Sequence, residues 1–117
     1  MAKAPQALAG GLKMAGQLLI LTGILHCLSW IVGGWTSGTM AVIGFGVVYL
    51  VLGLALHFGI PKIRYLAFLV TLVGILAAYI TLGSGTVPVW LSYIFIVIDL
   101  IVLLILFASI WRGRVVA

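Results

Sequence analysis

Acid is what this chain most lacks. One of its 117 residues is an Asp or Glu, namely Asp99, against six Lys and Arg, and charged residues make up only 6%. A water-soluble domain carries roughly a quarter of its residues as charge. A polar outer surface cannot be assembled from this composition, so the bulk of the surface has to face lipid. Hydrolase or dehydrogenase machinery needs several convergent polar groups. One carboxyl group and two histidines do not supply them, and no enzymatic activity is expected. A single cysteine, Cys27, excludes an intrachain disulfide and any Cys/His cluster with zinc spacing, so no metal site is expected. The six basic residues are too scattered to track a phosphate backbone, which removes nucleic acid as a partner.

Hydrocarbon fills the rest. The chain is 66% hydrophobic with a mean hydropathy of +1.46. A helix needs about 20 apolar residues to cross a bilayer core about 30 Å thick, and four runs qualify: 14–33, 39–60, 64–82 and 89–111. The links between them, "GWTSG", "PK" and "GSGTVP", are short and punctuated by Gly, Ser and Pro. Links this short make consecutive helices antiparallel neighbours. The Val- and Ile-rich runs cross as helices because backbone groups in lipid must satisfy one another. The expected fold is an all-α integral membrane protein: one domain over 1–117, four transmembrane helices in an antiparallel up-down bundle.

The charges orient it. Lys3 and Lys13 precede the first span, Lys62 and Arg64 lie between the second and third, and Arg112 and Arg114 follow the fourth. The other two links carry no charge, so the positive-inside rule places both termini in the cytoplasm, with the basic side chains near anionic headgroups. Trp35, Trp90 and Tyr93 fall at the opposite boundary and Tyr65 and Trp111 at the basic one, as aromatic belts do. The first span is read as retained, because its apolar stretch exceeds the 7–15 residues of a signal-peptide core and no A-x-A site follows. The expected location is a bacterial inner membrane.

Helices in lipid associate through small residues that admit close backbone approach. The packing candidates are Gly16 and Gly23 on the first span, Gly46 and Gly53 on the second, and Gly74 and Ala78 on the third. "LTGIL" (21–25) before "SGT" (37–39) is echoed by "LVGIL" (72–76) before "SGT" (84–86), as tandem hairpins would leave it.

Asp99 sits inside "FIVIDLIVLLILF". At a helix centre an Asp costs about 2.5–3.5 kcal/mol on insertion, while each Leu, Ile, Val or Phe returns about 0.3–0.6, so the span still inserts. Intramembrane acids face the bundle interior and find a partner. Depth selects the candidates: Asp99 and His26 each lie about a dozen residues, roughly 18 Å, from the basic end of their spans. Tyr49 is also near the midplane. Thr22, His26 and Ser29 make a polar stripe on the first span. Asp99 is therefore expected to meet His26 or Tyr49.

Three functional readings follow. In the first, Asp99 fixes helix pairing in a small accessory or assembly subunit packed against a larger membrane complex, or in a homo-oligomer, with lipid the only other bound component. In the second, Asp99 with His26 serves a small oligomeric proton-coupled transporter. In the third, His26 and His57, each four residues after a small residue, hold pigment or haem. They differ in depth by about 15 Å, too far to clasp one haem between them.

Overall fold

A computed structural model describes the backbone of residues 4–60, 62–85 and 87–116, and the side chains of 11–60, 62–85 and 87–111. It contains α1 (Ala4–Cys27), a single turn α2 (Trp30–Gly33), α3 (Ser37–His57), α4 (Ile63–Ile80) and α5 (Val89–Val116), and no strand among the described residues. Among the described residues, four stretches are long and apolar enough to cross a membrane: Gly11–Gly33, Ser37–His57, Ile63–Ile80 and Val89–Trp111. The molecule is 50 Å along its long axis.

Local chemistry sets the helix ends. Thr36 and Thr39 form a reciprocal capping box, each hydroxyl accepting from the other's backbone N–H at 3.1 and 2.9 Å. That box fixes the start of α3 by satisfying donors the first turn leaves free. The Thr39 hydroxyl also donates to the Gly34 carbonyl at 2.6 Å, tying the preceding link down. At the other end Gly59, at φ +87°, carries a Schellman closure: Ile60 N–H bonds Ala55 O and Gly59 N–H bonds Leu56 O. The second span therefore stops at His57 rather than running to residue 60.

The first span differs from a single rod over 14–33. Its helix begins ten residues earlier, at Ala4, in a segment of helix-favouring Ala, Gln and Leu where Pro5 sits in the first turn. Regular α-helix ends at Cys27. Ser29 N–H then bonds His26 O, Ile31 N–H bonds Leu28 O and Val32 N–H bonds Ser29 O. These three-residue closures are the tighter turn common at helix ends.

Contact between helices is uneven. α1 packs most extensively on α3 and also on α5, α4 packs on α5, and α3 touches α4 only sparsely. The four long helices thus follow one another around the bundle as α1, α3, α4 and α5, leaving α3 and α5 on a diagonal. Glycine pairs make the α1–α3 contact. A Cβ at Gly16 would lie 2.7 Å from Gly53 O, and one at Gly23 would lie 2.9 Å from Gly46 O. The reverse holds for Gly46 against Gly23 O and Gly53 against Gly16 O, both 2.7 Å. Nothing larger than hydrogen fits at these four positions without moving backbone.

The interior is divided by chemistry. Toward the end bearing Lys13, Lys62 and Arg64, the buried core is mainly aliphatic, with Leu12 and Leu19, Leu52 and Leu56, Val102 and Leu106, and Ser109 as a buried polar exception. In the other half, buried polar residues gather: Thr22 and His26 on α1, Ser29 just beyond it, Ser92 and Asp99 on α5, with Thr71 of α4 near the boundary. Large apolar side chains cover the outside, including Leu66, Leu76, Leu104 and Phe107. Trp35, Trp90 and Tyr93 are exposed at one end and Tyr65 and Trp111 at the other.

Candidate functional site: a buried Tyr–Asp–His cluster

Asp99 is 1% exposed. It reaches the interior because α5 turns its Ser92, Phe95, Asp99, Val102 and Leu106 side inward, a repeat of three and four residues that keeps one helix face. The Tyr49 hydroxyl, coming from α3 across the bundle diagonal, donates to Asp99 Oδ2 at 3.2 Å. Gly74 of α4 makes room for that bond. A Cβ there would collide with the Tyr49 hydroxyl and lie 3.5 Å from Asp99 Oδ2. The second carboxyl oxygen, Oδ1, is buried without a protein partner, as is the Thr71 hydroxyl. Asp99 thus keeps unused hydrogen-bonding capacity.

His26 occupies the same layer by a different contact. Its ring stacks on Phe95, with centroids 3.9 Å apart and planes 17° from parallel, and meets Tyr49 edge-on at 5.1 Å. Nδ1 lies 2.7 Å from the Thr22 carbonyl one turn earlier. A carbonyl only accepts, so Nδ1 carries the proton, and in the neutral ring Nε2 is left as the acceptor. Of the two partners that depth allows Asp99, Tyr49 makes the hydrogen bond, while His26 packs on Phe95, one turn before the acid. Phe95 was not singled out from the sequence; its position four residues before Asp99 was the available signal.

His57 stands apart. It lies at the basic end, half-buried, with its ring edge-on to Phe58 at 5.2 Å and Nδ1 without a partner. No group of three or more His, Cys, Asp or Glu suited to a metal occurs among the described residues. Of the basic residues, Lys13 and Lys62 are exposed and Arg64 is partly so. Lys3 lies outside the described residues, as do the side chains of Arg112 and Arg114, whose backbone continues α5. Ala78 is half-buried and lines a cavity.

That cavity, of about 210 Å³, lies among α1, α3, α4 and α5 in the polar half and is lined by His26, Phe45, Gly74, Ala78, Ser92 and Phe95 among others. Below it along the sparse α3–α4 contact runs an apolar groove formed by Ala41, Gly44, Phe45, Val48, Leu69 and Val73. Compared with protein-family models, curated proteins and solved structures, the chain matches none of them.

Proposed function

We propose that this chain is a small accessory or assembly subunit of a larger membrane complex, without enzymatic chemistry of its own. In this reading the helices form an up-down bundle with both termini and the 58–62 link on the cytoplasmic side of a bacterial inner membrane. The observation that carries it is the Tyr49–Asp99 bond. The lone acid has a partner within its own bundle, where a polar pair fixes helix register for about 0.6–1.7 kcal/mol. The long helices turn large aliphatic and aromatic side chains outward, which suits contact with the helices of another integral membrane protein.

A proton path through Asp99 and His26 would need polar groups continuing to the basic end. Leu12, Leu19, Leu52, Leu56, Val102 and Leu106 separate the cluster from that end, where Ser109 is buried, over about 10 Å of helix at 1.5 Å per residue. For a pigment or haem, Phe95 already covers one face of His26. The adjoining cavity of about 210 Å³ is also smaller than the roughly 300–1,000 Å³ of sites that take drug-sized ligands. Both observations weigh toward the subunit reading.

Purification in a mild detergent followed by native mass spectrometry tests it. The expected result is a stoichiometric complex with a larger membrane protein. A monomer or a homo-oligomer as the sole species would count against the reading.

A further inference from the structure

The cavity beside His26 and the α3–α4 groove are used by nothing described so far. We propose that together they bind a membrane-dissolved amphiphile of the alcohol or phenol class, its compact head donating a hydrogen bond to His26 Nε2 and its hydrocarbon tail lying in the groove. Four observations on different parts of the molecule lead there.

The first is the state of His26. The residue is 7% exposed, and its Nδ1 is committed to the Thr22 carbonyl. Its other nitrogen makes no hydrogen bond to a described residue, and the ring lines the cavity. Nε2 is an acceptor left accessible on the cavity side, where a donor from outside the chain can reach it. The second is size. An apolar cavity of about 150 Å³ accommodates benzene, so about 210 Å³ takes a six-membered ring with a substituent. The third is lining. Phe45 and Phe95 offer aromatic walls, Ser92 and His26 polar atoms, and among the described residues no Lys or Arg lines the space. A phosphate headgroup would find no counter-charge, whereas a neutral hydroxyl finds an acceptor. The fourth is access. The groove shares Ala41 and Phe45 with the cavity, and a Cβ built on Gly44 meets nothing within 4 Å. The groove lies on the helices' membrane-level stretch, where a hydrocarbon tail would already be dissolved.

The test uses the full chain in nanodiscs and two photoreactive probes: para-dodecylphenol with a diazirine midway along its chain, and the O-methyl ether of the same molecule, which cannot donate. Cross-links mapped by mass spectrometry are expected on groove residues such as Val48, Leu69 and Val73. Because one hydrogen bond contributes a net 0.5–1.5 kcal/mol, the phenol should label about fivefold more than the ether at equal concentration. His26→Phe should equalise the two probes. Gly44→Leu, which fills the groove outside the packed core, should lower labelling by both and so remains informative if His26→Phe does not fold. Labels spread evenly over the outward faces of all four long helices, or equal labelling by phenol and ether in the unaltered chain, would overturn the proposal.

Discussion

The hydroxyl of Tyr49 on α3 donates across the bundle to the carboxyl group of Asp99 on α5, 3.2 Å away, through a gap left by Gly74 on α4. α3 and α5 stand on a diagonal and share little other contact. The pair therefore works as a cross-strut: it sets the register of two helices that would otherwise touch only through their neighbours. It also marks where the interior changes, from aliphatic side chains on one side to Thr22, His26, Ser29 and Ser92 on the other.

Removing the donor should cost stability while leaving the packing in place. Tyr49→Phe keeps the ring and strands a buried carboxyl group, with an expected loss of about 1 kcal/mol and a ceiling near 2, the range of interhelical polar pairs in membranes. Asp99→Asn retains an acceptor for the Tyr49 hydroxyl and should cost less than half as much. Reversible unfolding in bicelles reads both, and equal losses would argue against the bond.

Gly74→Ala supplies a second, steric probe of the same contact. The new methyl collides with the Tyr49 hydroxyl, and overpacking of this kind costs about 1–3 kcal/mol. In a Tyr49→Phe background the colliding oxygen is gone, so the same substitution should cost less, by about 0.5 kcal/mol or more, as coupled neighbours do. Strict additivity would place the hydroxyl elsewhere.

Two glycines a half-turn apart on α3 should respond in opposite directions. A Cβ on Gly46 falls 2.7 Å from Gly23 O and 2.8 Å from His26 Cβ, so Gly46→Ala should lose about 1–3 kcal/mol. Gly44 faces open space. Gly44→Ala should be neutral or gain up to about 1 kcal/mol from helix propensity alone. The comparison needs only the two unfolding curves.

Orientation has its own check. In a Cys27→Ala background, an impermeant maleimide applied to intact cells should label Ser84→Cys and leave Lys62→Cys untouched until lysis. Both positions are exposed in the fold, so a reversed pattern would invert the proposed topology rather than report burial.

The existence of the four long helices was legible because length and hydrophobicity alone identify a stretch able to cross a bilayer. Their ends were less so, although the signals were present: Thr36 with Thr39 sets the start of α3 and Gly59 its stop. The tightening after Cys27 was illegible, since neither Gly nor Pro marks it. Depth brought Asp99, His26 and Tyr49 to one level. It could not choose between the last two, because the choice depends on helix rotation and on which helices are diagonal. Links this short suggested that α3 and α4 pack closely. The glycine pairs Gly16/Gly53 and Gly23/Gly46 draw α3 onto α1 instead, and the α3–α4 contact stays loose.

Having a single acidic residue gives the central claim an unusually direct readout. Aspartate labelled with carbon-13 at its side-chain carboxyl introduces one such group per chain, so its infrared band belongs to Asp99 alone. The account predicts that this band shifts in Tyr49→Phe and stays in place in Tyr79→Phe, which removes the hydroxyl of an exposed tyrosine. An Asp99 band indifferent to the loss of the Tyr49 hydroxyl would contradict it.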